Sequence, residues 1–218
     1  IAHIHGGELT EGAIDDAIRH ALTKMSHLHF VAAEPYRRRV LQLGEAPERV
    51  FNFGAPGLDG VLKSPRKDRA ALARELGIPL AATNFIVTYH PATLGSMDEE
   101  SALQALLDAL DRFPEAHIVF THANADSQGR AINARIDAYV KSRGAGASVF
   151  PSLGANYLSL LACVDAMIGN SSSGLTEAPL LGIPTVNIGP RQDGRLRSPS
   201  VIDCAGDAPA IRQAIERA

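Results

Sequence analysis

The chain has 218 residues, 45% of them hydrophobic, and a formal net charge of -3 at pH 7. Because the charges are nearly balanced and the basic residues form no long run, we expect no bulk binding to nucleic acid or to an acidic membrane. No apolar run approaches the roughly 20 residues of a membrane-spanning helix. The two cysteines, Cys163 and Cys204, lie far apart without a C-x-x-C pair, a pattern typical of buried thiols in a reducing cytosol. We therefore expect a cytoplasmic protein.

The first part of the chain alternates short apolar segments with segments of helical periodicity. The predicted strands are residues 2–5, 28–32 and 50–53, and the predicted helices are residues 13–26, 35–43 and 65–76. Residues 54–59 are predicted to form a turn, and residues 77–84 have the composition of a loop or linker. We place a domain boundary between residues 60 and 84. Since the chain begins inside an apolar segment without an initiator methionine, we expect it to be a fragment.

A regular series of strands and helices follows this boundary. The predicted strands are residues 85–89, 117–121, 148–150, 166–168 and 185–188. The predicted helices are residues 98–112, 127–143 and 155–162, a short helix starting near residue 174, and residues 209–217. Short strands separated by longer helices imply right-handed βαβ crossovers. We therefore predict an α/β fold in which helices cover both faces of a parallel sheet.

A group of polar residues surrounds the Gly6-Gly7 pair, which lets the chain turn sharply. The turn presents His5 and Glu8 next to one face of the predicted helix 13–26. That face carries Asp15, Asp16, Arg19, His20 and Lys24, and the opposite face carries Ile14, Ile18, Leu22 and Met25. Thr10 is a candidate cap for this helix. Carboxylates paired with basic residues at i, i+4 spacing commonly stabilise a helix and nothing more, but two adjacent carboxylates beside a histidine can also supply an acid and a base.

Two histidines invite a metal hypothesis. His3 and His5 are two residues apart on a predicted strand and would face the same way. A third ligand at a suitable spacing is not apparent, and a zinc site normally needs one. We therefore predict neither a metal site nor a cofactor.

A Ser-Gly turn follows the predicted strand 166–168. Ser171, Ser172, Ser173 and Gly174 lie where a helix should begin, and the unpaired N–H groups of a helix start suit an anion, as do serine hydroxyls. In an open parallel sheet, ligands bind at the carboxyl ends of the strands, where this turn would lie. The turn therefore predicts a phosphate site. The plainer alternative is that the serines only cap the helix.

Further polar residues accompany the Ser-Gly turn. Three arginines in the loop after the next strand would close over the anion, namely Arg191, Arg195 and Arg197. Glu177 would accept hydrogen bonds from a sugar hydroxyl, or would only favour the helix dipole.

Two other predicted strands also end in polar residues. His90 precedes Pro91, which biases it towards an extended backbone. It would act as a general acid or base, or would donate a hydrogen bond to a phosphate. A strand-end histidine is more often structural. His122, Asn124 and Asp126 follow the strand 117–121, and they would form either a ligand loop or a helix N-cap.

Six ordered segments together resemble the UDP-N-acetylglucosamine 2-epimerases. The segments are H-I-H-G-G-E at 3–8, I-D-D-x-I-R-H at 14–20, G-A-P-G-L-D at 54–59, H-P-A-T at 90–93, G-N-S-S-S-G at 169–174 and N-I-G-x-R-Q-x-G-R at 187–195. They are most similar to the hydrolysing branch, which makes N-acetylmannosamine for sialic-acid-type sugars. The resemblance implies a glycosyltransferase-B-like fold with the active site between two Rossmann-like domains. Residues 1–62 would end an incomplete first domain, residues 63–218 would form the UDP-binding domain, and the usual C-terminal end would be lacking.

The resemblance also implies roles for the UDP-binding residues. By position, Ser171 and Ser172 would hold the phosphates and Glu177 the uridine ribose. Arg191 would meet the diphosphate or lie beside it. Ser173, Gly174 and Asn124 complete the expected UDP-binding set.

The same resemblance implies roles in proton transfer. His90 would act on the sugar or on the β-phosphate side, and Asp15 and Asp16 would occupy the position of a catalytic carboxylate. His5 stands where several relatives, including the animal enzyme, have a catalytic glutamate. Either His5 or Glu8 would carry that proton transfer, or the sugar differs.

The implied reaction begins with loss of UDP across C1 and C2 of UDP-N-acetylglucosamine or of a diacetamido relative. Water then adds to the glycal, and the products are UDP and free N-acetylmannosamine or its relative. A non-hydrolysing 2-epimerase fits less well, because those enzymes more often have H-x-E-A-G where this chain has H-I-H-G-G-E. An inactive UDP-sugar-binding module is the alternative of another class. The fragment alone is expected to be inactive, since a cleft that lacks one wall does not exclude water, and the full-length enzyme is expected to be a homo-oligomer.

Overall fold

The computed structural model describes residues 1–10, 14–91, 98–123 and 129–218. Its strands are β1 (Ala2–Ile4), β2 (Leu28–Val31), β3 (Val50–Asn52), β4 (Asn84–Thr88), β5 (His117–Thr121), β6 (Ala147–Phe150), β7 (Ala166–Gly169), β8 (Thr185–Ile188) and β9 (Val201–Cys204). Its helices are α1 (Asp15–Met25), α2 (Glu34–Gln42), α3 (Pro56–Lys63), α4 (Arg69–Leu76), α5 (Glu99–Leu110), α6 (Gly129–Arg143), α7 (Tyr157–Leu161), α8 (Glu177–Leu180) and α9 (Ala208–Arg217). The strands form two sheets in which every pair is parallel. The predicted α/β class is confirmed.

The larger sheet has the strand order β6-β5-β4-β7-β8-β9. Its successive residues point to opposite faces, and each face meets its own hydrophobic cluster. Val87 packs on one face in the cluster that includes residues of α5, α6 and α9, and Ile86 packs on the other face with residues of α4, α7 and α8. The sheet is therefore covered on both sides, as predicted. Because the strand order reverses between β4 and β7, a ligand crevice is expected at their carboxyl ends.

Gly169 ends β7 at this reversal point. Its φ is +132°, and a Cβ at this position would lie 2.0 Å from the carbonyl oxygen of Thr88 on β4. Only glycine lets the two strands approach this closely. The chain that follows β7 is therefore held directly against the end of β4.

The smaller sheet has the order β1-β2-β3. α2 packs against it, and the buried core on that side includes Val31, Tyr36, Val40 and Val50. α1 is placed differently from an ordinary amphipathic helix, because its apolar face is exposed while Thr23, on the opposite face, is fully buried. The exposed set is Ile14 (59%), Ile18 (54%), Leu22 (44%) and Met25 (63%). The polar face of α1 thus turns towards the Gly6-Gly7 turn.

Several elements differ from the prediction. The predicted turn at residues 54–59 is the start of α3, with Pro56 at its first position, where a missing N–H costs nothing. β9 was not predicted, because V-I-D-C is a short mixed segment that becomes a strand only by pairing with β8. α4 begins at Arg69 rather than at residue 65, since Asp68 caps it by accepting from the Ala71 amide. The domain boundary stays a prediction. None of the helices in the described part of the chain combines the length and the hydrophobicity of a membrane span.

Candidate active site

Asn170 joins the carboxyl ends of β4 and β7. Its side-chain oxygen accepts a hydrogen bond from the His90 amide at 2.7 Å, and its side-chain nitrogen donates to the His90 carbonyl at 2.8 Å. The Asn170 amide donates to the Thr88 carbonyl at 3.1 Å. Because Asn170 and His90 are both buried, these bonds determine where the histidine sits. Asn170 was not among the predicted site residues, although an asparagine between a buried strand and a serine run was a usable signal.

The carbonyl of Asn170 also ties down the arginine loop. It accepts hydrogen bonds from Arg191 Nη1 at 3.1 Å and from Gln192 Nε2 at 2.7 Å. Arg191 therefore lies against the backbone at the start of the Ser-Gly turn. Its contact with a diphosphate stays a prediction.

The Ser-Gly turn is a single 3-10 turn at Ser172–Gly174, and α8 begins only at Glu177. The predicted helix is thus later and shorter than expected, so an aligned helix dipole contributes little to anion binding. The capping alternative holds in part for Ser171, whose hydroxyl oxygen accepts from the Ser173 amide at 3.4 Å. Hydroxyl groups and turn backbone, not a long helix, are the donors available here.

Gly174 has a packing role in the same turn. Its amide donates to the Ser171 carbonyl at 3.1 Å. A Cβ on Gly174 would lie 2.5 Å from Thr185 Cγ2 on β8. The close approach to β8 explains a glycine at this position, and its predicted contact with UDP remains a prediction.

Two cavities flank the Ser-Gly turn. The strand-end cavity, of about 320 Å³, is lined by residues that include His90, Tyr157, Ser171, Ser173 and Glu177. The inter-sheet cleft, of about 570 Å³, is lined by residues that include His5, Glu8, Arg19, Ser172 and Arg195. The three serines are therefore divided between the cavities, with Ser172 on the cleft side. The turn forms the wall between them.

His5 and Glu8 lie together in the inter-sheet cleft. His5 Nδ1 is 2.7 Å from Glu8 Oε1. His5 is not part of β1, which ends at Ile4, and its φ of +65° makes it the one described non-glycine residue with a positive φ. This backbone turns the His5 side chain into the cleft, whereas the prediction had placed it on the strand beside His3.

The pKa values of His5 and Glu8 shift in opposite directions. The hydrogen bond to Glu8 raises the pKa of His5 above its ordinary value, against the opposing effect of burial. Burial alone would raise the pKa of Glu8, but the bond from His5 and the positive charges of His5, Arg195 and Arg19 lower it below its ordinary value. The geometry thus favours a protonated His5 beside an ionised Glu8.

The two aspartates of α1 have different surroundings. Asp15 is exposed. Asp16 accepts a hydrogen bond from the Thr10 amide at 3.0 Å and lies 3.5 Å from His20 Nε2. The prediction that Thr10 caps α1 is wrong, because Ile14 occupies the N-cap position. Thr10 instead donates its amide to Asp16. Of the two candidates, Asp16 is the one that contacts the segment after the Gly6-Gly7 turn, at Thr10, and a catalytic role for either stays a prediction.

His3, the other histidine of the metal hypothesis, contacts α1. His3 Nδ1 lies 3.1 Å from the Thr23 hydroxyl, on the buried side of α1. Within residues 1–10, 14–91, 98–123 and 129–218, no group of three or more His, Cys, Asp or Glu residues is arranged to hold a metal ion.

The arginine loop contacts residues of the first part of the chain as well as β9. Arg195 Nε lies 3.3 Å from the Thr10 hydroxyl oxygen, and the Leu196 amide donates to the Tyr36 hydroxyl at 3.3 Å. Arg197, which was expected to close over the anion, instead donates to Asp203 on β9 at 2.8 Å. Of the three arginines, Arg195 is the one that lines the inter-sheet cleft.

Part of the second predicted ligand loop lies outside the described residues, including Asn124 and Asp126. So do Ala92 and Thr93 of the H-P-A-T segment. His122 is described, and its Nε2 lies 3.0 Å from Asp137 Oδ1 at the edge of the strand-end cavity.

The segments that form this site match a known family. A family model described as UDP-N-acetylglucosamine 2-epimerase matches residues 1–218. The chain belongs to this family. It is 44% identical over 204 residues to a Campylobacter jejuni protein named GDP/UDP-N,N'-diacetylbacillosamine 2-epimerase (hydrolyzing), with 93% of this chain and 53% of that protein covered. It is 38% identical over 216 residues to the polysialic acid biosynthesis protein P7 of Escherichia coli, with 99% of this chain and 55% of that protein covered.

A solved structure of the family has the same fold. The UDP-GlcNAc 2-epimerase from Neisseria meningitidis, crystallised with UDP-GlcNAc, superposes with a TM-score of 0.79 at 16% sequence identity. The match covers 99% of this chain and 60% of that one. The glycosyltransferase-B-like fold implied by the sequence resemblance is confirmed. The chain spans about half the length of the curated relatives that it matches.

Proposed function

We propose that this epimerase-family chain carries the UDP-binding half and part of the sugar side of a hydrolysing UDP-sugar 2-epimerase. The reaction converts UDP-N-acetylglucosamine, or a diacetamido relative, and water into UDP and the free 2-epimeric sugar. The observation that carries the proposal is the position of the Ser-Gly turn. It separates a cavity that contains His90 and Glu177 from a cleft that contains the His5–Glu8 pair.

The UDP group would lie across this turn. The nucleoside occupies the strand-end cavity, where Glu177 accepts hydrogen bonds from the ribose. Ser171, Ser172 and Ser173 donate to the phosphates, and Arg195 adds positive charge from the cleft side. Negative charge grows on the diphosphate as the C1–O bond breaks, and fixed donors that need no reorganisation stabilise it. Asn124 and Arg191 complete the proposed UDP contacts.

The sugar would lie in the inter-sheet cleft. Elimination removes the C2 proton and the C1 diphosphate, so the cleft must provide a proton acceptor. Hydration then adds the water oxygen to C1 and a proton to C2, and delivery from the opposite face inverts C2. The ionised Glu8 and the protonated His5 supply an acceptor and a donor 2.7 Å apart. His90, Asp16 and Asp15 remain candidates for the other proton transfers.

Two observations favour hydrolysis over return of a UDP-linked product. The Campylobacter jejuni relative carries the word hydrolyzing in its name. This chain also has His5 followed by Gly6-Gly7 in place of H-x-E-A-G. A non-hydrolysing 2-epimerase is the second candidate, and a UDP-sugar-binding module without activity is the third. A cytoplasmic location and a homo-oligomeric full-length enzyme stay predictions.

The test is incubation of the full-length protein with UDP-N-acetylglucosamine, and separately with its diacetamido relative, followed by NMR of the products. Free UDP and free 2-epimeric sugar in equal amounts are expected from one of the two substrates. A UDP-linked epimer would select the non-hydrolysing reaction. Binding of UDP without turnover of either substrate would select the binding module.

A further inference from the structure

The Tyr157 side chain contacts the Ser-Gly turn. It is the first residue of α7, and its ring packs against the hydrophobic cluster under the larger sheet. Its hydroxyl donates to Ser173 Oγ at 2.5 Å, whereas the other acceptor nearby, Met167 Sδ, is 3.9 Å away. Ser173 is therefore the main hydrogen-bond partner of the Tyr157 hydroxyl.

The bond runs from the phenol to the serine. Burial raises the pKa of Tyr157 to about 12, so the phenol is protonated at neutral pH and able to donate. A serine hydroxyl has one hydrogen and two lone pairs. Once Ser173 Oγ accepts from Tyr157, its own hydrogen is left for another acceptor. Ser173 and Tyr157 both line the strand-end cavity.

We propose that Tyr157 is a positioning residue that orients the Ser173 hydroxyl hydrogen into the strand-end cavity, towards a phosphate oxygen of a nucleoside diphosphate. The inference rests on the proposed function, because it takes UDP as the ligand. Tyr157 itself does not touch the ligand. Its effect is to keep the Ser173 hydroxyl from rotating, so that less conformational freedom is lost when the anion binds.

The test is a double-mutant cycle on UDP affinity, measured by calorimetry with Tyr157→Phe, Ser173→Ala and the double variant. Tyr157→Phe keeps the ring and removes one oxygen. We expect it to weaken UDP binding about 3- to 10-fold, the range of one hydrogen bond. We expect Ser173→Ala to weaken binding at least as much. The double variant should bind like Ser173→Ala alone, because the oriented group is already absent.

The matched control is Tyr139→Phe. Tyr139 also donates its hydroxyl to a side chain, Asp111 Oδ1 at 2.8 Å, but it lies outside both cavities. The Tyr139→Phe substitution should leave UDP affinity unchanged. Thermal unfolding of each variant separates affinity from folding, and Ser173→Ala tests the hydroxyl without touching the ring.

Two results would overturn the inference while leaving the proposed function in place. One is a folded Tyr157→Phe variant that binds UDP as tightly as the unmodified protein. The other is an equal loss from Tyr157→Phe with and without Ser173, which indicates a structural role. Failure of the unmodified protein to bind UDP would overturn the proposed function as well.

Discussion

His5 shows how much one residue can depend on its surroundings. Its φ of +65° lies in a region that costs a non-glycine residue about 1–3 kcal/mol. The conformation is held by its amide, which donates to the Phe30 carbonyl at 2.9 Å, and by the contact of its ring with Glu8. Such strain concentrates at functional sites. It supports the proposal that the His5–Glu8 pair takes part in proton transfer.

The His5–Glu8 pair can be tested by titration. Removing the Glu8 charge leaves burial and two arginines to act on His5. We therefore expect Glu8→Gln to lower the pKa of His5 to or below its ordinary value of 6.5. Proton NMR of the histidine rings between pH 4 and pH 9 measures this, with about 1 pH unit as the expected order of the change.

The control histidine is His117 at the start of β5, whose pKa is lowered by burial. Its titration should not change. The raised pKa of His5 means that its stabilisation is present below its unfolded value and is lost as the pH rises through the folded pKa. The lowered pKa of Glu8 means that its stabilisation is lost as the pH falls through the folded pKa. The pair therefore stabilises the fold most between pH 4.5 and 6.5. A pKa of His5 that is unchanged by Glu8→Gln would contradict the pairing.

Asn170 is the residue that positions His90. We expect Asn170→Ala to cost about 1–3 kcal/mol of unfolding free energy, because it removes two hydrogen bonds to the buried backbone of His90. We also expect a loss of turnover by the full-length enzyme. Urea denaturation and initial rates measure the two effects.

Asn133 provides a matched control. It clamps the backbone of Ala123 in the same way, accepting from the amide at 2.7 Å and donating to the carbonyl at 3.4 Å. Asn133→Ala should also destabilise the protein, but it should lower the activity of the folded enzyme less than Asn170→Ala does, because Asn133 holds the residue before Asn124 and not His90. Equal effects of both variants on activity would argue against a positioning role for Asn170.

Among the elements, the end of β7 is the least tolerant of change. We expect Gly169→Ala to abolish folding or to cost more than about 4 kcal/mol, because its Cβ would lie 2.0 Å from the Thr88 carbonyl oxygen. Yield of soluble protein and urea denaturation measure the effect.

Gly182 separates the clash from the backbone strain. It also has a positive φ, +74°, but a Cβ there meets nothing within 4 Å. Gly182→Ala should therefore cost only about 1 kcal/mol, the strain of the left-handed conformation. If the two variants were equally stable, the close approach of β7 to β4 would not exist in solution.

Across the whole molecule, the exposed apolar face of α1 is the least expected surface. Other apolar residues among the first 30 are exposed as well, including Ile4 (52%) and Leu28 (41%). We expect Ile18→Ser to change the unfolding free energy of this chain by about 0.5 kcal/mol or less and to reduce its self-association. Analytical ultracentrifugation and denaturation measure these effects.

Leu106 is the contrasting position, since it is fully buried between α5 and the larger sheet. Leu106→Ala should cost about 2–5 kcal/mol. A comparable cost for Ile18→Ser would mean that the α1 face is covered in solution.

The sequence alone predicted the larger sheet well. β5 and β8 lie where they were predicted, because β5 is rich in β-branched and aromatic residues and β8 has three β-branched residues between Pro184 and Gly189. α3 and β9 were missed for opposite reasons. Gly57 and Gly60 concealed a helix that starts correctly at Pro56, and the charged Asp203 concealed a strand that exists only beside β8.

The sequence by itself determined the α/β class, the order of the strands along the chain and the family, because periodicity and ordered motifs are local properties of the chain. Only the tertiary structure decided which of these residues meet. It divided three adjacent serines between two cavities, turned the polar face of α1 inward, and assigned Arg195 to the cleft and Arg197 to Asp203. These outcomes depend on contacts between segments far apart in the chain, such as Thr10 with Arg195, and no local pattern contains that information.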